Sequence, residues 1–243
     1  MVMKINEAEI KLSALAGLPT TLSGITIHPV VLREIARIGY ESYQQYLSIT
    51  ALQKEHLLEP QFAGNVPAHI AVYDVIEMFG DAHPVYSLFY TALRFLIGTD
   101  NICYKNGLFI DDVLIDIDMY QQLMQIIQIQ NGVPQETKTT FAPATERVRM
   151  LQQKMQANRQ KIRRLKNEQL ENQDTPTFYD LVSSLCSHAN GIHIFNVFDL
   201  NIFQFNDQFY RMKLVSDYEL NIQALLHGAD SKHIKLKHWI SKS

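Results

Sequence analysis

Apolar positions in this chain recur mostly three or four residues apart, and short alternating runs interrupt that rhythm in two places. Val31, Ile35, Ile38, Tyr43 and Tyr46 continue at helical spacing behind Pro29, whose missing N–H costs nothing in a first turn. This pattern predicts a helix running to about Leu52. Two more helical segments are expected near 68–79 and 84–97, separated by Gly80-Asp81-Ala82-His83-Pro84. Another is expected from about Asp118 to Ile129, stopped by Gly132 and Pro134. Alternation marks the exceptions. Ile10 and Leu12, then Ile25 and Ile27, flank the turn chemistry of Gly17-Leu18-Pro19 and Ser23-Gly24, which predicts a small hairpin. Ile102–Lys105 and Leu108–Ile110 flank Asn106-Gly107, a pair that supplies the two positive φ angles of a type I′ turn.

The second half of the chain reads differently. Val148, Leu151, Met155, Ile162 and Leu165 keep a 3-4 spacing broken only at Asn158, as in two to three heptads. Thr177 and Asp180 form a capping box with Asp in place of Glu, opening a helix to about His188 that Asn190-Gly191 ends. An aromatic-rich helix near 199–213 and another from Asp217 to Leu226 complete the pattern. The expected architecture is mainly α (α+β): helical domains, two small hairpins and a basic connecting helix. The expected domains are 1–141, a basic arm at 142–174 and an aromatic-rich helical domain at 175–243.

Charge is informative only locally. The chain of 243 residues has a net charge of -3, so no global field draws it to nucleic acid or an anionic membrane. The exception is Arg147–Lys166, with eight Lys or Arg and no acidic residue. Arg159, Lys161, Arg163 and Arg164 lie at its centre. Clustered cations can release counterions from nucleic acid. They can also form the solvated face of a helix whose long stems shield an apolar seam, or an arm that docks on a partner. The arm has no aromatic residue to stack on bases, which favours the last two readings. The N-terminus has no apolar signal core after its lysine, and Val85–Ile97 is too short to span a bilayer. These features predict a soluble protein of the cytoplasm without a membrane partner.

Candidate chemistry is sparse. Asp111, Asp112, Asp116 and Asp118 form a carboxylate cluster that suits a hard cation, and Asp112 with Asp116 would serve a metal-dependent nuclease. The same residues are equally explained as turn and cap residues, with Asp118 capping the following helix. The nine histidines form no i, i+4 pair of the metalloprotease kind, and Cys103 and Cys186 are 83 positions apart without a partner motif. No cofactor, no metal and no catalysis are expected. The terminal block is richer: Phe198, Phe203, Phe205, Phe209 and Trp239 are candidate partner-binding residues, with Phe203, Tyr210 and Leu214 on one helix face and Phe205 and Phe209 on the next.

LSGITIHPVVLREIARIGYESYQQYLSI at residues 22–49, TFYDLVSSLCSHANGIHIFNV at 177–197 and the closing residues 195–239 resemble a class of proteins encoded in tail gene modules of long-tailed phages of Gram-positive hosts. The resemblance implies a tail assembly chaperone that binds the tape measure protein, keeping that long helix soluble while tube subunits polymerise around it. Such chaperones are often made in a short and a frameshifted long form. The size of the chain equally allows a structural tail or baseplate component, and the basic arm leaves a nucleic-acid-binding regulator as the alternative. The implied location is the host cytoplasm or the virion.

Overall fold

A computed structural model of the protein describes residues 5–57, 67, 69–133, 176–228 and 238, apart from the His56 side chain. The fold is mainly α with two small antiparallel sheets. The chain divides into two compact units, Met1–Gln135 with Leu185–Ser243, and Glu136–Ser184. That division differs from the three parts expected from composition, because residues after 184 belong with the N-terminal segment. The basic arm lies outside the described residues.

The larger unit opens with helix α1 (Glu7–Leu15), where the sequence pattern had suggested a strand around Ile10 and Leu12. Two alternating apolar residues are too short a run to fix the period. Ile10 and Ala14, four apart, are buried and Leu12 is exposed, which is a helical face. The first hairpin is therefore β1 (Thr20–Leu22) against β2 (Ile25–Ile27), turning at Ser23-Gly24. Helices α2 (Leu32–Ile38) and α3 (Tyr40–Ile49) replace the single expected helix. Gly39 separates them with φ 86 and ψ 144, a conformation that only glycine adopts without strain. Pro29 precedes α2 by three positions instead of occupying its first turn. A short α4 (Lys54–Leu57) follows.

Helices α5 (Val72–Phe79) and α6 (Pro84–Ile97) match the expected pair closely. Pro84 starts α6, and Gly98 ends it in the left-handed region. Helix α6 is the spine of the unit. Phe89, Leu93, Leu96 and Ile97 are buried, and Tyr46 of α3 meets Phe95 with ring centroids 5.5 Å apart.

The second sheet has three strands, β3 (Ile102–Tyr104), β4 (Leu108–Ile110) and β5 (Val113–Ile115), in the order β3-β4-β5. Tyr104 pairs with Leu108, so Lys105, Asn106 and Gly107 together form the first loop instead of a two-residue turn. The two-residue turn is the next one. Ile110 pairs with Val113, and Asp111 and Asp112 have φ of 48 and 65, the positive pair that a type I′ turn requires. Helix α7 (Ile117–Gln130) is capped by Asp116, whose Oδ1 accepts from the Met119 N–H at 2.7 Å; Asp118, the expected cap, lies in the first turn. At its other end the fully buried Gln130 donates through Nε2 to Thr20 Oγ1 and the Ile27 carbonyl, tying α7 to the first hairpin.

Helix α8 (Phe178–His188) begins in the smaller unit with the expected box. Asp180 Oδ2 accepts from the Thr177 N–H at 2.8 Å, and Thr177 Oγ1 accepts from the Asp180 N–H at 3.3 Å. The Thr177 hydroxyl, which donates to Asp180 Oδ2 at 2.7 Å, and the Thr177 N–H hold the exposed Asp180 carboxyl below the usual carboxylate range. A 3₁₀ turn (Val197–Asp199) leads into α9 (Ile202–Leu226), one helix of 25 residues where two were expected.

Candidate partner-binding surface

The first turn of α9 is held by an interlocking set of hydrogen bonds. Asn201 caps the helix: its Oδ1 accepts from the Gln204 N–H at 2.8 Å, and Gln204 Oε1 accepts from the Asn201 N–H at 2.9 Å. Asn201 is only 3% exposed, and its Nδ2 donates to the Ala14 carbonyl at 2.7 Å, while Gln204 Nε2 donates to the Leu15 carbonyl. One side chain thus satisfies an orphan donor of α9 and adds a second donor to a carbonyl at the end of α1, which the Gly17 N–H also reaches at 3.1 Å. The backbone adds a bridge between Val31 and Asn201, with Leu32 N–H on the Leu200 carbonyl and Ile202 N–H on the Val30 carbonyl, each at 2.9 Å. Arg33 and Asp199 pair beside it.

The candidate residues take different roles. Phe205 is 1% exposed and stacks on Phe209, with ring centroids 6.0 Å apart. Ile202 and Phe205 are buried, so the face expected to be secondary is the principal core face. Leu214 is buried on the other expected face, where Phe203 and Tyr210 are half-buried. Phe198 and Phe209 are half-buried as well. Trp239, Arg159, Lys161, Arg163 and Arg164 lie outside the described residues.

Beyond Leu214 no residue of α9 is buried. Val215, Leu220 and Leu226 are 39%, 63% and 81% exposed. Leu220 stands 18 residues after Ile202, about five full turns at ~3.6 residues per turn, so the two lie on one line of the helix. The face that is core at one end is bare at the other. Tyr218, on a neighbouring line, is met edge-on by His238 at 5.7 Å.

Two exposed apolar residues precede the helix. Ile194 is 53% and Phe195 86% exposed, in the connection between α8 and the 3₁₀ turn. Neither stood among the expected interface residues, though the Asn190-Gly191 turn and Asn196 around them were signals for a structured loop.

Elsewhere several polar groups are held by structural hydrogen bonds. Tyr90 donates to Glu77 Oε2 and Tyr104 to Asp74 Oδ1, both at 2.9 Å, while Asp74 Oδ2 also accepts from the Ala71 N–H. Burial pushes the Tyr73 hydroxyl up to about 12, and it raises Tyr43, Tyr90 and Tyr120 as well. These are hydrogen-bonded or buried phenols of a packed core. Asp111 accepts from Thr99, and Asp116 is the α7 cap. Among the described residues no three His, Cys, Asp or Glu side chains are grouped to hold a metal ion, and no helix is long and apolar enough to cross a membrane.

Residues 167–243 fit the family model described as the YomV second domain, a phage-derived family. The match takes in the end of the polar stretch after the basic arm, α8, the exposed loop and α9. No curated protein and no solved structure matches the chain.

Proposed function

We propose that this is a phage morphogenesis factor, an assembly chaperone that binds a helical tail component, the tape measure protein, without catalysing a reaction. The observation that carries the reading is α9. Its buried residues end at Leu214, and its last three turns present Leu220 and Leu226 beside half-buried neighbours. Large apolar side chains left exposed on a helix mark a surface for a partner. An amphipathic helix lying along this face would receive the same kind of contact that α1 makes with the first turns of α9. The phage-derived family match supports the phage setting, and the resemblance at residues 22–49 and 177–239 supports the tail.

Co-expression with the tape measure protein of the same phage tests the reading. The expected outcome is a soluble complex that co-purifies with the wild-type chain and weakens in the double variant Leu220→Ser, Leu226→Ser. An insoluble tape measure with nothing co-purified, together with stoichiometric recovery of this chain in finished virions, would replace the chaperone with a structural tail protein.

A further inference from the structure

Past its buried half, α9 is not equally open on all sides. Leu214 is buried, and Tyr218, Asn221, Ile222 and Leu225 are half-buried. Their spacing places them on a single stripe of the helix. Asp217, Glu219, Leu220, Gln223 and Leu226, elsewhere on the circumference, are exposed. The stripe is met by His238, whose ring lies edge-on to Tyr218 at 5.7 Å. Had α9 continued as far as His238, the two residues would stand about 30 Å apart at ~1.5 Å per residue. The helix closes instead at Gly228, whose N–H reaches the Leu225 carbonyl at 3.0 Å and whose φ of 92 is the left-handed value of a helix stop. The chain therefore turns back between Gly228 and His238. Tyr218 lies about 15 Å back along the axis, and ten extended residues reach about 33 Å, so the return is made with chain to spare.

From this geometry we infer that the segment 229–243 docks in cis along the stripe from Leu214 to Leu225, with Trp239 against it. The outer half of α9 is then clasped on one side by its own chain and open on the other, at Leu220 and Leu226. The composition of the segment suits that occupant. It carries Ile234, Leu236, Trp239 and Ile240 among Lys232, Lys235, Lys237 and Lys242, with Asp230 as its sole acidic residue. Residues 214–226 carry Asp217 and Glu219 and no Lys or Arg, while Lys213 and Arg211 precede them and Arg211 is paired with Asp207. Exposed ion pairs add little energy, so apolar contact holds the clasp and the lysines make it compatible with the acidic residues beside the stripe. The clasp rests on contacts within the chain and not on the tape measure reading. It moves Trp239 from the candidate partner-facing side of α9 to the covered side.

Trp239 is the sole tryptophan, so its fluorescence in the full chain reads the docking directly. Acrylamide should quench it about threefold less in the folded protein than in the urea-unfolded chain, because a docked ring is sheltered by other side chains. The double variant Ile222→Ser, Leu225→Ser should raise quenching to the unfolded level. Leu220→Ser should leave it as in wild type, since two residues along a helix turn by about 200° and set Leu220 away from Tyr218. Circular dichroism of each variant separates undocking from unfolding. If the double variant loses helix, Tyr218→Ser alone decides, and it should raise quenching about twofold by removing one ring of the contact. Unprotected Trp239 in the wild-type chain would overturn the clasp. Protection that survives the substitutions on the stripe would overturn it as well, because the segment would then lie elsewhere. So would a loss of protection in Leu220→Ser as large as that in the double variant.

Discussion

Ile202 and Leu220 lie on the same line of α9 about five turns apart, and one is 3% exposed while the other is 63% exposed. Both halves carry large apolar residues, Phe203, Phe205 and Phe209 in the first and Val215, Leu220 and Leu226 in the second. What separates them is the neighbourhood that the rest of the chain provides. At the N-terminal end, α1 and the segment Val30–Leu32 supply carbonyls for Asn201 and Gln204 and a backbone bridge, and Phe205 is buried there. Past Leu214 no residue of the helix is buried. Apolar character alone therefore does not say whether a residue is core or interface. The presence of distant polar groups that fix the helix in place says so.

Substitutions along that line break the comparison most directly. Phe205→Ala should cost about 3–5 kcal/mol, the range for emptying a buried aromatic site, read as a lowered denaturation midpoint in urea. Next in size, Asn201→Ala removes a cap and the side-chain hydrogen bond that ties α9 to the end of α1. A loss of about 2 kcal/mol is expected by the same measurement. At the other end, Leu220→Ser and Leu226→Ser should each stay within about 0.5 kcal/mol of wild type, as exposed positions do. If either costs as much as Asn201→Ala, the bare end of α9 is part of the folded core and the contrast between the halves is lost.

The elements most legible in the sequence were those whose signals are local. Pro84 and Gly98 bracket α6, and Thr177 with Asp180 opens α8 through bonds spanning three residues. The hairpin at Ile102–Ile110 was legible too, but its type I′ geometry sits one turn later, at Asp111-Asp112. Those aspartates are held in a positive-φ pair by the strands on either side, a tertiary effect that overrides the greater preference of Asn-Gly. Asp217 looked like a helix start, yet mid-helix it costs only about 0.7 kcal/mol or less relative to alanine, so α9 runs through it. For the candidate surface, aromatic density located the region but not the roles. The burial of Phe205 is set by contacts with residues far away in sequence, and the display of Phe195 depends on how the Asn196 side chain closes its loop.

The Asn201 contact with Ala14 spans 187 residues. Its consequence is one of timing. As the chain emerges during synthesis, α1 and the first hairpin are complete long before Asn201 exists, so the larger unit can close only after that residue has been made. Contacts of such sequence separation slow folding, because closure entropy is lost before the contact forms. The same entropy grows only with the logarithm of loop length, about 0.6 kcal/mol per doubling. The length of chain between Ala14 and Asn201 therefore has little effect on whether the two ends meet.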